Sequence, residues 1–325
     1  MRAVLCKKLE GPKGLFIEDI PKSQPQMGEI SVLVRYVALN FFDTLIIRGK
    51  YQVKPELPFS LGGEISGVVE SVGEGVKGFV KGDRLAAYLG WGGAREQVLI
   101  PLEKAIPIPQ NVSDEIAASL SIVYGTALYG LKDRGAVREG QTVAVLGAAG
   151  GAGLAAVEVA KNLGASVIAV ASSEEKLQTC RAHGADALLD YTKEDLKEGL
   201  RRLTSGEGVD VIYDCVGGSA AEPALRALKW DGRFLVVGFA SGDIPKIPLN
   251  LLLVKGISVI GVFWGESVKR DPTGHAINMR KLLNWASEGK IKPLIHTVYP
   301  LEKVEDALGV LEGRSAIGKV LLKVS

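Results

Sequence analysis

The first third of the chain alternates apolar and polar residues over short stretches. The segments EISVLVRYVAL, EISGVVESVG and REQVLIP alternate or run apolar over the lengths of single strands. Glycine-rich turn segments such as GEGVKGFVKGD separate them. This pattern predicts a twisted, barrel-like β unit.

The pattern changes near residue 120, where apolar runs begin to alternate with longer amphipathic segments. The expected strands are TVAVLG, SVIAVAS, ADALLDY, VDVIYDCV and GRFLVVGF. The expected helices are an alanine-rich segment ending near Leu163, SEEKLQTCRAHG, a charged segment from about Lys193, and SAAEPALRALKW. Strands that alternate with helices of this length predict a doubly wound parallel sheet.

The end of the chain returns to β-like segments. The segment AINMRKLLNWASEG has helical spacing, and PLIHTVYPL and GKVLLKV are β-like. The simplest topology returns this tail to the N-terminal β unit. We therefore expect an α/β protein with a discontinuous catalytic domain, 1–120 and 267–325, and a cofactor domain, 121–266.

A glycine-rich loop joins the first expected strand of the cofactor domain to its first helix. The positions of a G-x-G-x-x-G fingerprint hold Ala148, Ala149, Gly150, Gly151, Ala152 and Gly153. Gly150 lets the backbone approach a pyrophosphate at the helix N-terminus, and Gly153 lets the helix pack on the sheet. Gly147 can take the strained turn conformation in place of the missing first glycine. The loop predicts dinucleotide binding; the alternative is a turn without a ligand.

The end of the second strand favours NADPH over NADH. A carboxylate that would bind the ribose 2′-hydroxyl of NADH is replaced by Ala171. Ser172, Ser173 and Lys176 follow it and can donate hydrogen bonds to a 2′-phosphate. Ser172 and Glu175 can also be read as a helix capping box.

Composition excludes several other classes of protein. The net charge of +2 over 325 residues gives no reason to expect nucleic acid as a partner. The sequence shows no signal peptide and no apolar run long enough to span a membrane. The three cysteines have no paired spacing, which favours a reducing, cytoplasmic setting.

Several separated motifs resemble those of the medium-chain dehydrogenases/reductases. GEISGVVESVGEGVKGFVKGDRL resembles the G-x-x-G-x-V-x-x-V-G…GD signature of that superfamily. ALNFFDTLIIRGKY and GAAGGAG resemble its zinc-independent NADPH:quinone oxidoreductase branch, the zeta-crystallin relatives. The resemblance covers essentially the whole chain. It implies a GroES-like catalytic domain and a Rossmann cofactor domain.

The residues argue against a metal site. Zinc-dependent members have GHE where this chain has Gly62, Gly63 and Glu64, and a cysteine where it has Asn40. The three histidines, His183, His275 and His296, show no ligand spacing. Since zinc needs three or four converging donors, we expect no metal.

The resemblance also implies a set of site residues, with the nicotinamide in the cleft between the domains. Asn40, Tyr51 and Thr126 are the candidate catalytic residues, and Tyr51 is the candidate contact to an acceptor carbonyl. Asp43 is interpreted as a structural residue that fixes its loop. The candidate cofactor contacts are Ala149, Gly150, Gly151, Ala152, Gly153, Ser172, Ser173, Lys176, Tyr191, Phe239, Phe263, Trp264 and Lys319. The alternative for Tyr51, Thr126 and the aromatic residues Phe239, Phe263 and Trp264 is a packing role. The alternative for Lys319 is a surface position.

The expected activity is hydride transfer from NADPH to a quinone. Reduction of α,β-unsaturated carbonyls or enoyl thioesters at the same site is the enzymatic alternative. A non-catalytic, NADPH-binding protein is the alternative from another class. A homodimer is expected by resemblance, with GISVIGVFWG as an edge strand that a partner would cover.

Overall fold

The computed structural model describes residues 1–325, which form sixteen strands and eleven α-helices. The strands are β1 (Arg2–Cys6), β2 (Leu15–Asp19), β3 (Glu29–Leu39), β4 (Phe59–Ser60), β5 (Glu64–Val72), β6 (Arg84–Tyr88), β7 (Gln97–Pro101), β8 (Ile106–Pro107), β9 (Thr142–Leu146), β10 (Ser166–Ala171), β11 (Ala187–Asp190), β12 (Val209–Asp214), β13 (Leu228–Val236), β14 (Ser258–Gly261), β15 (Ile295–Pro300) and β16 (Lys319–Lys323). The helices are α1 (Phe41–Ile46), α2 (Asp114–Ala118), α3 (Val123–Leu128), α4 (Gly151–Asn162), α5 (Glu174–Ala182), α6 (Leu196–Leu203), α7 (Ala221–Arg226), α8 (Leu249–Lys255), α9 (Trp264–Arg270), α10 (Pro272–Ser287) and α11 (Val304–Glu312).

The chain divides into two compact units. The first comprises Met1–Ile122, Val268–Gly289 and Pro293–Ser325, and the second comprises Val123–Ser267 and Lys290–Lys292. The expected division did not include the short Lys290–Lys292 segment in the cofactor unit. This segment is hydrogen-bonded to α4. Asn162 Nδ2 donates to Lys290 O at 3.0 Å, and Lys292 N donates to the Glu158 carboxylate.

The first unit is built on a mostly antiparallel β-sheet. Its strand order is β15-β16-β3-β5-β6-β8, and β7 also pairs with β3. The tail returns to this sheet because β16 pairs antiparallel with β3, placing Val320 opposite Leu39. A smaller sheet has the order β2-β1-β4. Apolar residues of β3, β5 and β16, among them Ile30, Ile65 and Leu322, share one core.

The second unit is a six-stranded parallel sheet in the order β11-β10-β9-β12-β13-β14. Numbered within the unit, this is the 3-2-1-4-5-6 order of the Rossmann fold. All six residues of β12 are buried, as expected for a central parallel strand. The expected GroES-like and Rossmann-type α/β fold is thus confirmed.

The main error in the expected elements is at the start of β13. The segment ALRALKW was expected to be helical, yet α7 ends at Arg226 and β13 already begins at Leu228. Leu228 pairs with Val209 of β12, and Asp231 then takes a positive φ of 59°. Sheet pairing therefore overrides the helical propensity of this segment. No helix of the structure is both long and apolar enough to span a membrane.

Candidate active site and cofactor loop

A buried carboxylate, that of Asp43, fixes the N-terminal turn of α1. Asp43 is 0% exposed, and its Oδ2 and Oδ1 accept hydrogen bonds from Asn40 N at 2.8 Å and from Gly62 N at 3.1 Å. Burial raises the pKa of Asp43 to about 7, although both N–H donors and Lys319 oppose that shift. Asp43 therefore joins two segments of the backbone, in line with the structural role expected for it.

A buried ion pair lies beside this carboxylate. Lys319 Nζ donates to Glu64 Oε1 at 2.8 Å, and the two side chains are 4% and 0% exposed. Glu64 Oε1 also accepts from Asn40 Nδ2 at 3.0 Å, while Oε2 accepts from Ile122 N at 2.8 Å. The charge of Glu64 is thus compensated by one cation and two neutral donors.

The side-chain amide of Asn40 forms hydrogen bonds within the protein. Its Oδ1 accepts from Lys319 Nζ at 2.7 Å, and its Nδ2 donates to Ala38 O at 3.3 Å as well as to Glu64. The residue is only 7% exposed. These bonds hold Asn40 in place at the start of α1, and its candidate catalytic role stays a prediction.

Lys319 was expected to contact the cofactor or to lie on the surface, and the structure supports neither. The residue is 3% exposed, and its ammonium donates to Leu39 O at 3.2 Å in addition to Asn40 and Glu64. These three acceptors use all three of its N–H groups. Lys319 is an interior counter-ion.

Two tyrosines lie next to this polar network. The Tyr51 ring packs against Phe42 with centroids 5.3 Å apart and an interplanar angle of 31°. Burial and the nearby Asp43 carboxylate raise the pKa of Tyr51. Burial, Tyr51, Glu64 and Asp43 likewise raise the pKa of Tyr88, which lies opposite Glu64 in the β5–β6 register. Both phenols therefore stay protonated at neutral pH and are able to donate a hydrogen bond.

Tyr88 and Glu64 were not among the residues expected at the site. Tyr88 ends β6, and its ring also meets that of His275 edge-on with centroids 6.5 Å apart. Burial lowers the pKa of His275 to about 4, so this imidazole is neutral at pH 7. Only the strand register could have placed Tyr88 opposite Glu64, and register is not readable from a single sequence.

The glycine at the position of the zinc-dependent enzymes' histidine is required by packing. A Cβ on Gly63 would lie 2.8 Å from Phe42 Cζ and 2.9 Å from Gly90 O. A histidine therefore has no room at this position without moving the neighbouring loop. In the structure, no group of three or more His, Cys, Asp or Glu side chains is arranged to hold a metal ion.

The glycine loop of the second unit has the geometry of a phosphate-binding turn. Gly147 has a φ of +68°, and Ala148 is not among the residues with positive φ. A Cβ on Gly153 would lie 2.2 Å from Gly147 O, whereas the nearest atom to a Cβ on Gly150 is 3.6 Å away. Gly153 is thus demanded by protein packing, while Gly150 leaves open space in front of α4.

The helix that follows can hold an anion. It runs from Gly151 to Asn162, with Gly150 as its N-cap residue. Ala149 is 3% exposed, whereas Gly151 and Ala152 in the first turn are partly exposed. Because the first turn leaves backbone N–H groups without intrahelical partners, this end of α4 suits a pyrophosphate.

The expected 2′-phosphate contacts lie together at the ends of β10 and β11. Lys176 Nζ lies 3.5 Å from Ser172 Oγ, and Tyr191 N donates to Ala171 O at 3.3 Å. Tyr191 is 52% exposed. The alternative interpretation of Ser172 and Glu175 as a helix capping box is wrong, since the N-cap of α5 is Ser173, whose Oγ accepts from Lys176 N. Ser172 Oγ is thereby not used as a helix cap.

The remaining candidates of the second unit fall into exposed and packed positions. Phe263 is 48% exposed, while Trp264 is 7% exposed and its ring lies within 2.9 Å of a Cβ built on Gly125. Trp264 is therefore a packing residue and not a ready cofactor contact. Thr126 on α3 is partly exposed, as is Phe239, which lies over Gly217.

Known protein families match both units of the chain. The Alcohol dehydrogenase GroES-like domain family matches residues 26–110, and the Zinc-binding dehydrogenase family matches residues 151–281. A quinone oxidoreductase-like protein 2 homolog from Nematostella vectensis is 42% identical over 99% of this chain and 88% of its own. The chain belongs to the medium-chain dehydrogenase/reductase superfamily. Its quinone oxidoreductase-like relatives agree with the resemblance seen in the motifs.

Two further relatives bear on chemistry. The structure of Escherichia coli quinone oxidoreductase complexed with NADPH is 31% identical over the full length of both chains, with a TM-score of 0.92. An acryloyl-coenzyme A reductase from Sulfurisphaera tokodaii is 29% identical over 99% of this chain and its whole own length. These two relatives are thus oxidoreductases with different named acceptors.

Proposed function

We propose that this oxidoreductase transfers hydride from NADPH to a quinone. The observation that carries the proposal is the loop from Gly147 to Gly153, with open space at Gly150 and with Ser172 and Lys176 in place of a carboxylate. When bound, NADPH supplies the hydride from its nicotinamide ring. Ala149, Gly150, Gly151, Ala152 and Gly153 would hold the pyrophosphate, and Ser172, Ser173, Lys176 and Tyr191 the adenosine 2′-phosphate end.

Residues of the first unit are proposed to meet the acceptor. A quinone that accepts hydride becomes a hydroquinone anion, and a proton from solvent completes the hydroquinone. Tyr51 and Tyr88 are donors that can stabilise the developing oxyanion. Because their pKa values are raised, they hold their protons and stabilise the charge without transferring a proton.

An α,β-unsaturated carbonyl or an enoyl thioester is the second candidate acceptor. Hydride would then add to the β-carbon, and the same phenols would stabilise the enolate oxygen before a proton is added at the α-carbon. The similarity to an acryloyl-coenzyme A reductase supports this candidate.

We propose that neither reaction uses zinc. Gly63 and Asn40 replace two of the ligands that zinc-dependent members carry, and the Asn40 amide is engaged by Lys319 and Glu64. The Lys319 ammonium already supplies a positive charge among these oxygen atoms. Metal analysis of purified, active protein tests this point.

A cytoplasmic homodimer is the proposed form of the protein. The strand β14 is the edge of the six-stranded sheet, and Val259 on it is 38% exposed. All three cysteines are free thiols, which suits a reducing compartment. A charge introduced at Val259 should abolish the dimer in sedimentation experiments, and an unchanged dimer would exclude this edge.

The proposed function is tested by the loss of NADPH absorbance with purified protein. Benzoquinone, 3-penten-2-one and crotonyl-coenzyme A would be compared as acceptors at equal concentration. Fast oxidation with the quinone alone would support the main proposal. Fast oxidation with the enone or thioester would favour the second candidate. NADPH binding without oxidation by any acceptor would contradict both and leave a non-catalytic NADPH-binding protein.

A further inference from the structure

The loop after β6 carries an arginine without an anionic partner. Arg95 is half-buried, and the one hydrogen bond of its guanidinium joins Nε to Gly92 O at 2.8 Å. It forms no ion pair with any residue of the chain. Glu96, the acid next to it in sequence, is engaged by both the backbone N–H and the guanidinium of Arg2.

No anion within the protein compensates the charge of Arg95. Burial lowers the pKa of Arg95, and no acidic group opposes that shift. A cation withdrawn from water costs free energy unless an anion or several acceptors compensate it. The buried cation Lys319 of the same unit is, by contrast, compensated by three acceptors. The two terminal nitrogens of Arg95 are therefore available for a ligand.

Backbone hydrogen bonds join the loop that carries Arg95 to the segment just before Glu64 in the same unit. Leu89 N and Gly90 N both donate to Gly63 O, and Gly93 N donates to Gly62 O, just before Glu64. Arg95 Nη2 lies 3.3 Å from the Cβ position of Gly92, so the guanidinium folds back over this loop. Trp91, 40% exposed, stands at its tip. The loop thus carries a guanidinium and an exposed indole in the segment that follows Tyr88, the last residue of β6.

We propose that Arg95 is a binding site for an anionic group of the acceptor. A guanidinium binds carboxylate or phosphate through two parallel hydrogen bonds, which a neutral quinone cannot supply. The proposal rests on the second candidate acceptor proposed above, and not on the quinone. It narrows that candidate to an unsaturated carbonyl compound that carries a carboxylate or phosphate.

Matched acceptors test the charge requirement. The pair 4-oxo-2-pentenoate and 3-penten-2-one shares the enone and differs in the carboxylate, and crotonyl-coenzyme A carries phosphates. We expect Arg95→Gln to raise KM for the charged acceptors about tenfold, a loss of about 1.4 kcal/mol, and to leave KM for 3-penten-2-one within about twofold. Arg95→Lys should recover part of the loss. An effect confined to one charged acceptor identifies which anion is bound.

Two controls keep the test independent of folding and of the reductase activity. Lys54→Gln removes a positive charge from an exposed position of the same unit and should change none of these KM values. With the cofactor site saturated by NADP⁺, coenzyme A or 4-oxo-2-pentenoate should raise the Tm of the wild-type protein but not of Arg95→Gln. That binding readout remains even if no acceptor is reduced, an outcome that would contradict only the proposed function.

The proposal would be overturned by an equal loss for charged and neutral acceptors in Arg95→Gln. An unchanged KM for both charged acceptors, together with equal Tm shifts in the two proteins, would overturn it as well.

Discussion

The geometry of the cofactor loop is set by its own backbone, whereas that of the buried polar network is set by side chains from separate parts of the chain. The loop from Gly147 to Gly153 is one local segment, shaped by a positive φ and by the absence of a Cβ at two positions. The network joins Asn40, Glu64 and Lys319, which are far apart in the chain, through side-chain bonds within an antiparallel sheet. Changes at Gly150 should therefore affect ligand binding, whereas changes in the network should affect folding.

The largest expected effect comes from breaking the network. Lys319→Met leaves the Glu64 carboxylate, 0% exposed, without its cation. Removing one partner of a buried ion pair costs about 3–5 kcal/mol. Urea denaturation should show this loss, and Lys323→Met, an exposed lysine of the same strand, is the matched control. Equal stabilities of the two variants would show that the network contributes little.

A second effect separates packing from binding within the loop. Gly153→Ala places a Cβ 2.2 Å from Gly147 O and 2.6 Å from Ala148 Cα. Overpacking of this kind costs about 1–3 kcal/mol. In Gly150→Ala the nearest atom is 3.6 Å away, so its free energy of unfolding should equal that of the wild type. The distinction fails if both substitutions lower the urea midpoint equally.

The two phenols should contribute to turnover and not to stability. Tyr51→Phe and Tyr88→Phe each remove one candidate donor to the acceptor oxygen, and we expect kcat with a saturating enone to fall about tenfold in each. KM for NADPH should stay unchanged. Unchanged turnover in Tyr51→Phe would dismiss its role as a donor and leave it as a packing partner of Phe42.

The last expected effect is a dependence of stability on pH. The pKa of Asp43 is raised to about 7, so the folded chain binds this proton more tightly than the unfolded chain does. Its contribution to stability is complete below the unfolded pKa, near 4, and is lost as the pH rises through 7. As the pH rises from about 4 to about 7, the free energy of unfolding of Asp43→Asn should therefore increase relative to that of the wild type. The increase is at most about 1.4 kcal/mol per pH unit.

Urea denaturation of both proteins at several pH values measures this difference. Asp19→Asn, a change at an exposed carboxylate, should show no such trend. A difference between Asp43→Asn and the wild type that is constant from pH 4 to 7 would mean that Asp43 is ionised throughout.

The parts of the fold that depend on residues close together in the chain could be predicted from the sequence. The Rossmann sheet, the fingerprint loop and the turn at Gly147 depend on residues next to one another, so periodicity and glycine spacing predicted them. The return of the tail to the first unit also followed, since GKVLLKV had the pattern of a strand.

The side-chain network could not be predicted because its partners meet only through sheet register. Asn40 and Lys319 were each expected to face a ligand, and nothing near them in the sequence indicates that they bind one another and Glu64. Register likewise places Tyr88 opposite Glu64. The sequence also does not show that Arg95 lacks a partner, because the neighbouring acid Glu96 binds Arg2, 94 residues away in the chain.

The most direct test of the account is a fluorescence titration of NADPH and NADH into the wild type and Gly150→Ala. We expect the wild type to bind NADPH more tightly than NADH. We expect Gly150→Ala to lose most of its NADPH affinity while its Tm is unchanged. Equal affinity of the two proteins for NADPH would contradict the assignment of this loop as the pyrophosphate site.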